Sequence, residues 1–493
     1  MKKSFALLIT FLLAASLVNA QETDKSVSAK AVQRLNRAPV NKQVLQVKLP
    51  RPIEKKLSNG LTVLVIPRHK LPTVNMEMWL KTGALSDPKD LPGLAKFTAD
   101  MLKEGTAKRT SAQFASEADE IGAQIASDAH FGYPTTSITA SGLADNADRM
   151  FDLVSDMVLN PAFSAQELEK YKARLLPELE QQRSEPDFLG NEKLHQVLYG
   201  NFPASVVSAT PDSVKKATVE DLKKFHDEYY APNNAVLAIV GDLDPDQAFA
   251  LVNKYFGGWK SHSVQEAKLD DVPAPAPARI WLVDRPGSVQ TNILAGEYSV
   301  RRSDPDYIPL RVLNRVFGEG PAARLFLDLR EEKGYTYGAY SNFSAHNYRG
   351  VFFANTEVRN AVTDPSLRDL LAEFNRIRDE KVPEAELDEA RRAIVARFAL
   401  SLENPGTLLN AWLTVNYYHL PVTYWDDYPA QVAKVTADEI QRVARKYLDK
   451  DHLQVVCVGD ARAIGSSLGK YGTVEVFDAD GKAIKGQVSG PGQ

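Results

Sequence analysis

The sequence predicts an α+β protein made of two homologous, layered domains, and three observations carry that prediction. The first is a repeat. Thr218-Val-Glu-Asp-Leu-Lys-Lys-Phe225 returns as Thr436-Ala-Asp-Glu-Ile-Gln-Arg-Val443, and Gly241-Asp242 returns as Gly459-Asp460, both 218 positions later. Ser164-Ala-Gln-Glu-Leu-Glu-Lys170 and Pro383-Glu-Ala-Glu-Leu-Asp-Glu389 match at nearly the same offset. A period this long is a duplicated domain and not a solenoid unit. The second is that strands and helices come in runs within each copy, which predicts helices layered on one face of each sheet. The third lies between the copies, where Pro273, Pro275 and Pro277 alternate with alanine, a linker composition. The expected domains are residues 48–260 and 280–476, joined by a linker at 261–279.

Taken in order, Lys2 and Lys3 precede an apolar run from Phe5 to Val18, and Val18-Asn19-Ala20 supplies the small residues of a cleavage site. This is the pattern of a secretory signal over 1–20, too short for a membrane span to be the better reading. Gln21 follows where a lipoprotein would need cysteine. Residues 21–47 are polar and aperiodic and read as an extended arm. Leu61–Ile66 is a strand behind the turn Ser58-Asn59-Gly60, and Thr73–Leu80 alternates as a second. Pro92–Thr106 reads as a short helix closed by Gly105, with Leu94, Phe97, Met101 and Leu102 spaced for a buried face. A helix over Ser111–Ile121, with Ser111 as N-cap, is followed by strands over Gly122–Asp128 and Thr135–Ser141. Helices follow over Ala144–Leu159 and Ser164–Gln182, the second opened by Ser164 and Glu167 as a capping box. Thr218 opens a further helix, Ala235–Val240 is a buried strand, and 477–493 reads as a flexible tail.

At 493 residues and 44% hydrophobic, the composition is that of a globular protein. Loss of the signal leaves 57 basic against 63 acidic residues, a net charge of −6 that argues against a nucleic-acid partner. No other stretch approaches the apolar length of a membrane span, so the expectation is a periplasmic or secreted chain with no membrane attachment after cleavage. Cys457 is the only cysteine, sitting in the buried-strand run Leu453–Val458, which rules out an internal disulfide and a cysteine-built metal site. The eight histidines include no pair three or four apart, and neither a serine-nucleophile motif nor a Gly-rich phosphate loop occurs.

One frame has a specific likeness. Gly83, Ala84 and Asp87 lead into Pro92-Gly-Leu-Ala95, Met101-Leu102 and Gly105-Thr106. This resembles the helix that carries the inverted zinc motif His-x-x-Glu-His in the pitrilysin/insulinase family of metallopeptidases. The likeness extends over roughly residues 48–476 and implies two domains forming half of a four-domain clamshell around a chamber. At the motif the chemistry departs from the family. Lys96 stands at the first histidine, Ala99 at the catalytic glutamate and Asp100 at the second histidine. In Leu175-Leu-Pro-Glu-Leu-Glu-Gln-Gln-Arg-Ser-Glu-Pro186, Glu178 falls at the third ligand. A protonated lysine has no lone pair for a metal, and without Ala99's acidic counterpart there is no general base. The expectation is therefore no zinc in this chain, with Lys96 occupying the metal's place in an ion pair with Asp100 and Glu178. Two alternatives stand beside it: three unrelated surface charges, or a calcium or magnesium ion on Asp100 and Glu178.

Leu329-Arg-Glu-Glu-Lys-Gly-Tyr-Thr-Tyr-Gly-Ala-Tyr-Ser341 resembles the family's segment bearing an arginine and a tyrosine seven apart, here Arg330 and Tyr337. In the family that pair reaches across the chamber to the other half's zinc site, and a guanidinium and a phenol are donors suited to a developing oxyanion. The alternative makes Arg330 a helix C-terminal cation and Tyr337 a core strand aromatic. The strand Gly122–Asp128 resembles the edge strand on which the family binds substrate by strand addition; the alternative is a plain sheet strand.

Together these imply a non-catalytic subunit of a secreted pitrilysin-family peptidase, inactive alone. It would pair with a homologous chain that keeps His-x-x-Glu-His and its zinc, and would supply Arg330 and Tyr337 to that chain's site for hydrolysis of unfolded peptides. Two other readings stay open: an inert homodimeric peptide-binding or assembly protein, and an active peptidase working by another mechanism.

Overall fold

Two six-stranded sheets repeat the same plan. The computed structural model describes residues 45–265, 269 and 271–484. The expected signal, most of the polar arm, part of the linker and the end of the tail lie outside the described residues. The first sheet comprises β1 Ile53–Lys56, β2 Thr62–Pro67, β3 Thr73–Leu80, β4 Gln124–Asp128, β5 Thr136–Leu143 and β6 Ala235–Gly241. Its helices are α1 Leu94–Met101, α2 Ser111–Glu120, α3 Ala147–Leu159, α4 Ala165–Gln182, α5 Pro186–Tyr199, α6 Pro211–Lys216, α7 Val219–Tyr229 and α8 Pro245–Phe256. The second sheet comprises β7 Arg279–Asp284, β8 Gln290–Tyr298, β9 Ala339–Phe343, β10 Val351–Arg359, β11 Gln454–Gly459 and β12 Val474–Phe477. With it come α9 Tyr307–Phe317, α10 Arg324–Phe326 running into a π-helical turn Leu327–Glu332, α11 Thr363–Asp379, α12 Glu384–Ser401, α13 Pro405–Tyr417, α14 Tyr424–Lys434, α15 Ala437–Tyr447 and α16 Ala461–Leu468.

The strand orders are β1-β2-β6-β3-β5-β4 and β12-β7-β11-β8-β10-β9. Five strands correspond one for one, and in each sheet a parallel pair, β2 with β6 and β7 with β11, starts the mixed region. The sixth strand differs, since β1 runs antiparallel to β2 whereas β12 runs parallel to β7. The repeated threonines behave alike: Thr218 and Thr436 each cap a helix through a complete capping box with Asp221 and Glu439. Elsewhere the caps differ from expectation. Thr110, not Ser111, caps α2, with Gln113 completing the box. Ser164 makes no side-chain cap on α4, and the Glu167 carboxylate pairs with Lys170 at 2.9 Å. Of the expected tail, residues 478–484 turn back on β12, with Ile484 N–H donating to Val476 at 2.8 Å.

The expectation of helices on one face only is corrected. Alternation on β3 buries Val74, Met76 and Met78 under α1, α3, α7 and α8 in one core, and the second sheet has its own equivalent. The opposite faces are covered too, each by a helix from the other half. Leu408, Leu409 and Trp412 of α13 pack on Leu64, Ile66, Val236 and Val240 of the first sheet. Leu189, Leu194 and Leu198 of α5 pack on Leu294, Val456 and Val458 of the second. Each fully buried leucine contributes about 1.5–3 kcal/mol relative to exposure. The exchange is locked by polar ties: Trp412 Nε1 donates to Pro50 O at 3.0 Å, Leu49 N to Asp426 at 3.0 Å, and Arg51 pairs with Asp426 at 2.5 Å.

The α5 seat needs glycine in the strand beneath it. A Cβ at Gly296 would lie 2.9 Å from both Leu194 Cδ2 and the Phe352 carbonyl oxygen. That carbonyl belongs to the β8–β10 ladder and cannot withdraw without breaking it. Gly296→Ala is therefore expected to lower stability by roughly 1–3 kcal/mol, an overpacking cost, read as a lower urea midpoint with the slope unchanged.

Candidate functional site

The site is built on α1, whose placement is set by its first turn. The Asp87 carboxylate accepts from Gly93 N–H at 2.7 Å and Ala95 N–H at 2.8 Å, satisfying amides that a helix start leaves free. Burial pushes the Asp87 carboxyl up to about 7, against the pull of those two amides. Gly93 has φ +99° and a Cβ there would meet the Phe97 ring at 2.8 Å, so only glycine fits. Leu94, Phe97 and Met101 enter the core, and Gly105 follows the helix end at φ +107°. The opposite side turns Lys96 and Asp100 toward β4, where Ser127 Oγ donates to the Ala99 carbonyl at 2.6 Å.

Lys96 Nζ lies between two carboxylates, 3.1 Å from Asp100 Oδ1 and 3.2 Å from Asp128 Oδ1. Asp100 also accepts from the Tyr171 hydroxyl of α4 at 2.7 Å, and Asp128 lies 3.0 Å from His130 Nδ1. Burial works against the Lys96 charge, but the two carboxylates outweigh it and hold its pKa above the ordinary lysine value. Burial raises the Asp100 pKa, although Lys96 and Tyr171 pull the other way. The expected ion pair is thus half corrected: Asp100 is one partner, but Asp128 takes the place expected for Glu178. Among the described residues Glu178 makes no ion pair, and no group of three His, Cys, Asp or Glu side chains is arranged to hold a metal. A divalent cation does not fit these residues, because the ammonium already neutralises the two oxygens a metal would use. Ala99 is fully buried in the apolar core, and its methyl group offers no acid or base.

β4 is the sheet edge, hydrogen-bonded among the described strands to β5 alone. A cavity of ≈ 640 Å³ wraps that edge, lined by Gln124, Ile125 and Ala126, by Phe114 of α2, and by Gly406 and Leu409 of the exchanged helix α13. An extended segment has room beside the unpaired edge.

Arg330 and Tyr337 lie apart from this cluster. No hydrogen bond, ion pair or ring contact among the described residues joins either of them to Lys96, Asp100 or Glu178. Arg330 sits in the last part of the π-helical turn, over the Phe326 ring at 4.9 Å and paired with Glu331. Tyr337 is 92% exposed and is not a core aromatic. Its loop is nonetheless fixed. Lys333 binds Asp328 at 3.1 Å and Asp369 at 2.7 Å, and Thr336 Oγ1 donates to Glu357 O at 2.7 Å. At Gly338 a Cβ would stand 2.5 Å from the Tyr340 ring, which keeps the loop tight behind Tyr337.

Two family models match the chain: "Insulinase (Peptidase family M16)" over residues 62–212 and "Peptidase M16 inactive domain" over residues 216–394, together about two thirds of it. The chain belongs to peptidase family M16. Among solved structures, the peptidase M16 inactive domain from Pseudomonas fluorescens is 26% identical with TM-score 0.77, covering 83% of this chain and 98% of its own. An uncharacterized zinc protease of Rickettsia felis is 26% identical over 71% of this chain and 83% of its own length. A chain of Helicobacter pylori named "Non-peptidase homolog YmxG" is 23% identical over 81% and 92% respectively. The M16 architecture expected from residues 82–106 is therefore present. Asp128 stands in the edge strand where the family resemblance calls for asparagine, but its pairing with Lys96, and Tyr171 altogether, are what sequence reasoning missed. Their contacts span 32 and 71 positions, and no spacing rule links a strand to a helix at those separations.

Lys96→Met would leave Asp100 and Asp128 facing each other without a cation. The expected loss is about 1–2 kcal/mol near pH 7, an exposed-pair value scaled up for partial burial. A raised lysine pKa stabilises fully below the ordinary lysine range and is lost only as pH climbs through the raised value. On the acid side the gap shrinks as Asp100 takes up a proton. Urea denaturation of both chains at about pH 7 and about pH 3 should show the difference only at the higher pH.

Proposed function

We propose that this chain is the non-catalytic subunit of a secreted or periplasmic M16 peptidase, and that it lends Arg330 and Tyr337 to the zinc site of a homologous partner chain. The observation that carries the reading is Tyr337, a 92% exposed aromatic on a loop braced by Lys333 and Thr336. In this reading the braced loop presents the Tyr337 ring to a second chain, and the bracing supplies the rigid support that a shared site needs. The Lys96–Asp100–Asp128 cluster supports the same division of labour, since it stabilises α1 in place of a metal centre. The free β4 edge and its cavity support binding of an extended, unfolded peptide. The lysine-led apolar run before Ala20 supports export.

In this reading Tyr337 donates its phenol hydroxyl, and Arg330 its guanidinium, toward the peptide carbonyl being attacked in the partner's site. Their work is to bind the substrate backbone and to stabilise negative charge as it develops on that oxygen. Release from Glu331 would free the guanidinium for this task.

Arg330→Ala and Tyr337→Phe, each assembled with the partner, should lower kcat for an unfolded peptide roughly 10²–10³-fold, with KM and assembly little changed. Unchanged turnover in both variants would assign the two residues to structure and leave the inert binding-protein reading in possession.

A further inference from the structure

A second cavity, of ≈ 440 Å³, lies where the loop between β4 and β5 meets the β9–β10 turn and α13. Its walls are rich in aromatic side chains, with Trp79, Tyr133, Tyr307, Phe343 and Tyr418 prominent. Tyr133, 47% exposed, stands at its mouth. No Asp or Glu lines it, and its one permanent charge is Arg302.

Arg302 is only 6% exposed, yet among the described residues it makes no ion pair. Its guanidinium is held over Tyr307 at 4.0 Å and Tyr424 at 4.9 Å, and donates one side-chain hydrogen bond, to Tyr424 Oη at 3.0 Å. Aromatic faces offset part of the cost of burying a cation, but they accept few of the fork's N–H donors. A buried guanidinium without a carboxylate is costly unless an anion completes it. The remaining wall groups suit the body of such a ligand: His346, pushed down to about 4 by burial, is neutral, and Asn342 and Asn410 offer uncharged polar atoms.

We propose that this cavity is a binding site for a carboxylate carried on an aromatic or bulky apolar body, with Arg302 holding the carboxylate and the ring wall holding the body. Two sources share that chemistry, a small free aromatic acid and the C-terminal residue of a peptide. The site does not depend on the zinc-partner reading, since every residue in it belongs to this chain. A series of contacts leads from it to the Lys96 cluster: His346 to Tyr133 and Tyr133 to His130, with ring centroids 4.8 and 5.6 Å apart, and His130 to Asp128 at 3.0 Å.

The test is calorimetric titration of the purified full chain with four probes: 3-phenylpropionate, its amide, a pentapeptide ending in phenylalanine, and the same peptide amidated. Both acids, or one of them, should bind at least about tenfold more tightly than the matching amide, as expected where a buried donor is left unpaired. Tighter binding of the free acid assigns a small-molecule ligand, and tighter binding of the peptide acid assigns a C-terminus. Arg302→Gln should remove the preference for acid over amide. Ala345→Trp, which fills the cavity while leaving the Tyr307–Arg302–Tyr424 stack in place, should abolish binding with the thermal midpoint preserved. Equal binding of acids and amides, no binding by any probe, or undiminished binding to Ala345→Trp would overturn the proposal.

Discussion

The reciprocal exchange of α5 and α13 is the constraint on which the rest of this molecule depends. Each sheet has one face covered by its own helices and the other by a helix borrowed from the opposite half. A duplicated α+β unit has two apolar sheet faces, and helices following each strand run cover only one of them. Exchange solves that problem for both copies at once. It also places α13 beside β4, so that Gly406 and Leu409 help shape the cavity along the free edge. The two halves consequently cannot move apart without uncovering the apolar face of each sheet that the exchanged helix covers. The cavity holding Arg302 exists for the same reason, since it forms where a loop of one half meets a turn and a helix of the other.

Within that frame, the chain divides its chemistry unevenly. On the first half, α1 is tied to β4 and α4 by a lysine, two aspartates and a tyrosine, which satisfy one another. On the second half, the arrangement is reversed. Lys333, Thr336 and Gly338 hold a loop firmly, while the residue they support, Tyr337, is 92% exposed. Internal satisfaction in one half and supported exposure in the other are what a subunit of a composite site requires.

Much of this is legible in the sequence because the signals are local. Capping boxes at Thr218 and Thr436, the alternation of Thr73–Leu80 and the buried runs ending at Gly241 and Gly459 all depend on neighbours a few residues apart. What is not legible is set by tertiary contact. Leu408, Leu409 and Trp412 mark an apolar helix face, but nothing in their spacing says that the sheet beneath belongs to the other half. Thr110 and Ser111 are both capable caps, and only the position of Gln113's carboxamide decides between them. β1 has all four residues exposed, so it carries no alternation to read. At the site, Lys96 and Asp100 share a helix face and their pairing follows from spacing, whereas Asp128 and Tyr171 arrive from a strand and a distant helix.

The most direct test is native mass spectrometry of this chain, tagged at its C-terminus and captured from its own host. The account predicts a roughly equimolar complex with one other chain of similar size, bearing His-x-x-Glu-His and one bound zinc, held by an interface large enough to survive purification. Recovery of this chain only with itself, at any concentration tried, would contradict the account and leave Tyr337 without the partner that its exposure implies.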